Sequence, residues 1–363
     1  MRIGLLLPTN IAYAPYLKIY TNVLDQMEHV EYDIIYADKK GLNEDAKYPF
    51  RVKTDDNVGK IQKLIYYYRF SRFILKALRK EKYDKLIVFG PQVALFMPHY
   101  LHKHYKNRFI MDYRDLSIEQ SFMGTYRKIL DDSSYNMISS PGFKEYLPKR
   151  EDYIVSHNFD ITTLEEAIKD VKDTPYHLAK TPEGKYNVMN VGGIGIRHVE
   201  QDKEIIQALA NDDRFVVTFS GRGFGVPVLE EYVNEHQIKN VAFTGYYDKK
   251  DEPEIVKKAT FIMIYNSLDA NPRTAISNRF YNSIMFRKPM LTRLGTIQGD
   301  YAKDYGMGVA VPDTNQLSNE LVRFFEEFDW EQYEKQRLIL LNRFKDDYQV
   351  FKDALMAFAS DKD

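Results

Sequence analysis

Asn187-Val188-Met189-Asn190-Val191 runs straight into Gly192-Gly193-Ile194-Gly195-Ile196-Arg197-His198, and a pattern of helical period follows over 201–210. A short apolar run that ends in glycine and opens a helix is the repeating step of a parallel sheet covered by helices. The glycines let backbone amides approach a phosphate, and Arg197 offers a charged donor beside them. The same glycines also make an ordinary tight turn, so this stretch alone leaves both readings open. A second strand, at 215–220, ends in Ser220-Gly221-Arg222-Gly223-Phe224-Gly225 and sets another glycine-rich turn at the equivalent edge of the same sheet.

From this pair outward the alternation continues. Strand-like runs at 241–244, 261–265, 290–292 and 309–311 complete the series in the second half. The first half carries its own at 3–7, 32–37, 85–89, 109–112, 136–139 and 153–156, between helical patterns at 15–29, 59–82, 92–106 and 118–130. The reading is α/β: two Rossmann-like domains over 1–160 and 187–325, joined by a polar, charge-rich linker at 161–186. Residues 326–363 read as a C-terminal helix whose apolar positions, Leu338, Leu340, Leu341, Phe344, Phe351, Leu355 and Phe358, suit packing on either domain. Ligands of open parallel sheets sit beyond the carboxyl ends of the strands, so two such domains predict an interdomain cleft lined by those ends.

The length of 363 residues exceeds the ~250 at which single cores stop growing, and suits two domains. Apolar residues at 44% and charged residues at 28% are globular values, and no run approaches the ~18 apolar residues that span a bilayer. The opening Met1-Arg2-Ile3-Gly4-Leu5-Leu6-Leu7 is too short for a signal peptide and meets a Pro8-Thr9-Asn10 turn, so it reads as a buried first strand. Cysteine is absent, which excludes disulfides, thiolate metal sites and cysteine nucleophiles and suits a reducing, cytoplasmic compartment. The net charge of −1 divides unevenly: residues 1–160 hold 25 Lys/Arg against 20 Asp/Glu (+5), and the remainder 26 against 32 (−6). The first half is therefore the part that tolerates an anionic surface.

Ser277-Asn278-Arg279-Phe280-Tyr281-Asn282-Ser283-Ile284-Met285-Phe286-Arg287-Lys288-Pro289 reads as a helix capped by Ser277 or Asn278 and ended by Pro289 ahead of a strand. A capped N-terminus at a strand edge binds an anion through its free amides and its dipole, and a diphosphate fits there. The plain alternative is a helix that packs Phe280, Ile284 and Met285 in the core. The succession Val191-Gly192-Gly193, Ser220-Gly221-Arg222-Gly223, Asn240-Val241-Ala242-Phe243-Thr244-Gly245, Ala259-Thr260-Phe261, Asn278 to Asn282 and Arg287-Lys288-Pro289 resembles the donor domain of family-4-type glycosyltransferases of the GT-B fold. The match holds in order and spacing over most of 187–325. It implies that the first glycine turn lies near the donor phosphates and that two acidic residues stand ahead of the Lys-Pro, one gripping the ribose and one at the sugar. Here Asn282 occupies the ribose position and Thr274 the sugar position, so the paired carboxylates are missing. Gly193 also replaces the basic residue that usually follows the first glycine, which leaves Arg197 as the nearest substitute.

In the first half, Asp112-Tyr113-Arg114-Asp115-Leu116 is similar to the Asp-x-Arg-Asp-Leu stretch of capsule and lipopolysaccharide glycosyltransferases. Arg114 stands where related enzymes often carry a His close to the transferred sugar, and Asp115 is the candidate general base or orienting residue for the acceptor hydroxyl. The structural alternative is an Arg114–Asp115 pair that fixes the loop, or Asp115 as a helix cap. Thr9 and Asn10, after the first strand, are expected to face the cleft, and Ser156-His157-Asn158-Phe159-Asp160 resembles the segment that closes the first domain in this family.

Over 60–82, Arg69, Arg72, Lys76 and Arg79 fall in one helical stripe, with Phe70, Phe73, Ile74, Ala77 and Leu78 on the adjoining face. Such a helix suits an anionic membrane surface, or is an ordinary amphipathic helix docked on its sheet. His99, His102 and His104 have no carboxylate near them in sequence, the only Asp-x-Asp is Asp361-Lys362-Asp363, and no metal or other cofactor is expected. No nucleic-acid motif is present.

These readings converge on a metal-independent, hexosyltransferase-type glycosyltransferase, cytoplasmic and peripheral at the inner face of the cell membrane. It is expected to move sugar from a nucleotide diphospho-sugar to a lipid-linked saccharide acceptor in bacterial capsule, exopolysaccharide or lipopolysaccharide synthesis. Gly192, Gly193, Arg197, Gly221, Arg222, Thr274, Ser277, Asn278 and Asn282 are the donor-binding candidates, Arg114 and Asp115 the catalytic ones, and Thr9 and Asn10 the acceptor or cleft ones. A homo-oligomer is compatible with the sequence. The alternatives are a non-catalytic partner of another transferase that keeps the fold, and a sugar-nucleotide epimerase.

Overall fold

The computed structural model describes residues 1–52, 59–170 and 178–360. Asp361-Lys362-Asp363 and part of the expected linker lie outside them. The chain forms two compact units, Met1–Asn158 with Asp346–Asp363, and Phe159–Lys345.

The first unit is a parallel sheet of β1 (Arg2–Leu7), β2 (Glu31–Ala37), β3 (Tyr48–Phe50), β4 (Lys85–Phe89), β5 (Phe109–Tyr113), β6 (Tyr135–Ile138) and β7 (Tyr153–Val155), ordered β3-β2-β1-β4-β5-β6-β7. The chain enters at the centre, winds outward to β3, then returns beside β1, so the strand order reverses between β1 and β4. Those two are apolar through nearly their whole length because both faces are covered. β3 escapes the sequence reading since Pro49 sits in its middle, which only an edge strand tolerates. The helical pattern at 92–106 is two short helices, Pro91–Ala94 and Pro98–Tyr105: Pro98 cannot continue the first and opens the second.

The second unit repeats the plan with β8 (Tyr186–Gly193), β9 (Phe215–Arg222), β10 (Val241–Gly245), β11 (Phe261–Ile264), β12 (Met290–Arg293) and β13 (Gly308–Val311), all parallel and ordered β10-β9-β8-β11-β12-β13. Here the reversal lies between β8 and β11. Val188, Val217, Phe219, Phe261 and Leu291 meet in its core beneath Leu229 and Leu321.

Two boundaries differ from the sequence reading. Residues 161–169, placed in the linker, are the helix Ile161–Lys169, whose N-cap Asp160 accepts from the Thr162 and Thr163 amides at 2.8 and 3.4 Å and whose Leu164 is buried. The C-terminal segment is one long helix, Trp330–Ser360, preceded by Leu317–Glu326, and it belongs to both units in turn. In the second unit the fully buried Arg337 donates to Glu334, Ala167 O and Ile284 O, and Phe344 packs on Phe159 and Tyr281. In the first unit Phe351, Leu355 and Phe358 join the core of Leu17, Tyr20 and Phe89, and Lys85 Nζ donates to Phe358 O at 2.9 Å.

Candidate functional site

In the first unit the carboxyl ends of β1, β4 and β5 surround a pocket of about 280 Å³. Its wall includes Thr9 after β1, Gly90 and Gln92 after β4, and Arg114, Asp115 and Ser117 after β5, with Tyr13, Tyr16 and Lys39 closing it. This is the crevice that a strand-order reversal opens in a parallel sheet. Arg114 reaches the wall but is held from behind. Its Nη2 donates to Asp112 Oδ2 at 2.6 Å and to Ser156 Oγ at 2.7 Å, its Nη1 donates to Ser156 O, and its guanidinium lies 4.6 Å from the Tyr16 ring centre. Asp112 is fully buried; burial pushes its carboxyl up while Arg114 and the Tyr20 hydroxyl oppose the shift. Arg114 is thus half of a buried ion pair with Asp112. Asp115 is exposed at the rim. Glu119, buried one turn on, accepts from Tyr113 Oη at 2.6 Å and from the Ser117 amide, which fixes the loop that carries Asp115.

Of the two residues expected after β1, Thr9 lines the pocket and Asn10 does not. Asn10 is fully buried; its Nδ2 donates to Asp38 at 2.7 Å and to Glu44 at 2.9 Å, and its Oδ1 accepts from the Lys40 amide. Its side chain ties down the loop after β2 instead of facing a ligand. The sequence did not single out Tyr16, Lys39 or Gln92.

In the second unit the glycine-rich turns prove to be one feature. The β8–β9 ladder continues through Gly192 opposite Gly221 and Gly193 opposite Arg222. A Cβ on Gly221 would stand 1.8 Å from Gly192 O, and one on Gly223 2.0 Å from Ile194 O. Close strand approach therefore explains Gly221 and Gly223, while Gly193 faces open space with nothing within 4 Å of a Cβ. Arg197 and Arg222 are exposed beyond this edge, Arg222 with its guanidinium 4.6 Å from the Tyr246 ring centre.

Across the reversal, the helix Asn278–Met285 starts near the carboxyl end of β11. Ser277 holds the N-cap position without a capping bond of its own: its Oγ and amide both donate to Gln298 Oε1, at 2.8 and 3.0 Å. Asn278 is exposed at the first turn. Arg279 Nη1 donates to Met263 O at 3.1 Å, pinning that turn to β11. The Arg279 guanidinium also acts on two neighbours from the start of the helix Val199–Ala208. Burial, then Arg279 and Arg197, push the His198 imidazole down, and burial pushes the Asp202 carboxyl up to about 6 against the pull of Arg279 and Asn190.

Thr274 is buried with its hydroxyl donating to Ala270 O at 2.8 Å. Asn282 Nδ2 donates to Glu252 Oε1 at 2.8 Å. Glu252, from the helix Glu252–Lys257, also accepts from Tyr247 Oη at 2.7 Å and from Lys249. Burial opposes its ionisation, but Lys249, Tyr247 and Asn282 outweigh it and hold the carboxyl below its usual value. A carboxylate thus reaches Asn282 from a different helix. The sequence reading missed Arg279, His198, Asp202 and Glu252.

Arg69, Arg72, Lys76 and Arg79 are exposed on the helix Lys60–Lys80, and no described helix is long and apolar enough to cross a membrane. His102 Nδ1 lies 2.8 Å from Asp132, and among the described residues no group of three His, Cys, Asp or Glu stands close enough to hold a metal ion.

Two Rossmann-like units, one on a seven-stranded and one on a six-stranded parallel sheet, match the GT-B fold. No protein-family model matches the chain, and no curated protein sequence matches it significantly. Solved structures do match. HepE of Anabaena in complex with UDP is similar with a TM-score of 0.70 at 13% identity, over 98% of this chain and 100% of its own. The lipopolysaccharide outer core galactosyltransferase WaaB, in its apo form, is similar with a TM-score of 0.61 at 14% identity, over 98% and 99%. The UDP-GlcNAc 2-epimerase of Methanocaldococcus jannaschii, in complex with UDP-GlcNAc and UDP, is similar with a TM-score of 0.56 at 12% identity, over 95% and 99%. At these identities the likeness is one of fold, and it embraces transferases and an epimerase alike.

Proposed function

We propose that the chain is a glycosyltransferase that takes a nucleoside diphosphate sugar at the carboxyl edge of its second unit and a saccharide acceptor in the pocket of its first. The observation that carries this reading is the cationic edge where the start of the helix Asn278–Met285, pinned by Arg279 to β11, and Arg197 both act on His198. Guanidinium groups beside a helix N-terminus are suited to a diphosphate leaving group, with no metal needed. Glu252, oriented by Asn282, accepts the ribose hydroxyls. In the transfer, the bond between the sugar C1 and the diphosphate oxygen breaks, the acceptor oxygen bonds to C1, and its proton passes to Asp115. If configuration is retained, the proton passes to the departing phosphate oxygen instead.

The net charge of +5 over residues 1–160 supports an acceptor at an anionic membrane surface. The finer reading is a peripheral hexosyltransferase at the inner face of the membrane, acting on a lipid-linked saccharide of a bacterial capsule, exopolysaccharide or lipopolysaccharide. WaaB, by its name, acts in the last of these.

Two observations favour rivals. His198 and Asp202 stand together beside Arg279, an acid/base pair of the kind an epimerase requires, and Thr274 turns its hydroxyl into its own helix, as a lapsed sugar site would. Titration calorimetry against uridine, guanosine and thymidine diphospho-sugars without added metal tests the reading. One donor is expected to bind in the micromolar range, weakened ~10–100-fold in Arg279→Met, the value of a charge-assisted hydrogen bond. No binding to any donor leaves the non-catalytic partner. Conversion of the donor to its epimer without acceptor identifies an epimerase.

A further inference from the structure

The helix Lys60–Lys80 is apolar on two opposite faces over its first half. At about 100° per residue, Tyr66, Phe70, Ile74 and Ala77 fall on one side, and all four are buried, Tyr66 and Phe70 packing on Phe50. Ile61, Leu64, Ile65 and Tyr68 repeat at i, i+3, i+4 and i+7 on the other side, where they are 75%, 50%, 53% and 57% exposed. Along that same line the later turns carry Arg72, Lys76 and Arg79, with Arg69 beside them, all exposed. No Asp or Glu occurs between Lys60 and Lys80. One apolar stripe docks the helix on its own unit; the second stays at least half exposed, and clustered exposed aliphatics of this kind mark an interaction surface.

We propose that this outer face seats on an anionic lipid bilayer. Ile61, Leu64, Ile65 and Tyr68 enter the boundary between headgroups and acyl chains, while Arg69, Arg72, Lys76 and Arg79 lie on the anionic headgroups. Charge selects this occupant. A second copy of the chain would press one acid-free cationic face against another, whereas a lipid surface supplies both the apolar layer and the opposite charge. The helix also touches the acceptor pocket: Lys39, in the pocket wall, has its Nζ 5.6 and 5.4 Å from the ring centres of Tyr66 and Tyr67. Seating the helix would set the pocket beside a lipid-borne acceptor. That purpose rests on the proposed transferase reading, while the lipid affinity itself does not.

Cosedimentation of the full chain with vesicles, of phosphatidylcholine alone or mixed with phosphatidylglycerol, tests the seat. Binding is expected only to the anionic vesicles, falling roughly fivefold for each cation removed in Arg72→Gln and Lys76→Gln, the equivalent of about 1 kcal/mol per charge. Ile61→Ser with Ile65→Ser is expected to abolish the binding that survives high salt, where the cationic part is screened. Failure of the unaltered chain to bind anionic vesicles, or binding indifferent to both sets of changes, overturns the proposal. So does a dimer in sedimentation equilibrium that Ile65→Asp dissolves. Donor titration on the same variants separates the two readings: donor binding without vesicle binding removes the seat alone, and vesicle binding without donor binding removes the transferase alone.

Discussion

Gly221 stands in β9 opposite Gly192 in β8, at a φ of +141° that side chains rarely adopt. Replacing it with alanine puts a methyl group 1.8 Å from a backbone oxygen, and neither strand can retreat without opening the ladder from Asn190–Phe219 to Gly193–Arg222. The unfavourable φ costs ~1–3 kcal/mol and the overpacking a further ~1–3 kcal/mol, so Gly221→Ala should destabilise the second unit by about 4 kcal/mol. Gly193 lies one ladder step beyond Gly192, with no positive φ and nothing within 4 Å of a Cβ, and its replacement should leave stability unchanged within ~0.5 kcal/mol. In scanning calorimetry, fitted as two transitions for two units, a domain of this size moves ~2–4 °C per kcal/mol, so Gly221→Ala should lower one transition by ~8–16 °C and Gly193→Ala neither. The donor titration should show the reverse order: Gly193→Ala stays folded yet loses affinity, because its methyl group occupies the edge where the diphosphate is proposed to lie. If Gly221→Ala melts with the unaltered chain, the two glycine turns do not abut, and their glycines must be explained by ligand binding alone.

Glu334 neutralises the buried Arg337 and shares Arg287 with Asp170, and Glu334→Gln, which takes the carboxylate from Arg337 while Arg287 keeps Asp170, should cost ~3–5 kcal/mol in urea denaturation. Burial opposes ionisation of Glu334 but the two arginines hold its folded value below the unfolded ~4.3, so its stabilisation is present above that value and lost as pH falls through the folded one. An acid titration of stability should be steeper in that window for the unaltered chain than for Glu334→Gln. Asp202 has the opposite sign. Its folded value of about 6 exceeds the unfolded ~3.9, so its contribution is full below ~3.9 and lost as pH rises through 6. Asp202→Asn should therefore be more stable than the unaltered chain above that range, by up to ~3 kcal/mol, and no more stable below it; equal stability at neutral pH would mean Asp202 is not desolvated. Glu252→Gln should weaken donor binding about tenfold, the lower range for a hydrogen bond to a charged group, and adding Asn282→Glu should restore part of it by moving the carboxylate across the same hydrogen bond. Unchanged affinity in Glu252→Gln would remove the ribose role.

The sheets were legible because a parallel strand buried on both faces must be an unbroken apolar run, as 85–89 and 261–264 are, and only an edge strand such as Tyr48–Phe50 can carry a proline and escape notice. The residues that follow the strands at each reversal were legible to the same depth, since topology fixes them. What those side chains then do is set by partners far along the chain. Thr9 and Asn10 are adjacent after β1, yet Thr9 lines the pocket while Asp38 and Glu44 draw Asn10 inward, and the loop that supplies them has no periodic pattern to read. Glu252 lies in Asp251-Glu252-Pro253-Glu254, which reads as a solvated helix start, and only the fold brings it to Asn282, 30 residues away. The helix Lys60–Lys80 shows the converse. Its second apolar stripe, Ile61, Leu64, Ile65 and Tyr68, was present at full helical period in the sequence, but one apolar face was already enough to explain a docked helix. Only the burial of Phe70 and Ile74 on the other side shows that docking leaves this stripe exposed. A residue's place along a parallel fold is thus written locally, whereas its chemistry depends on contacts that local periodicity does not encode.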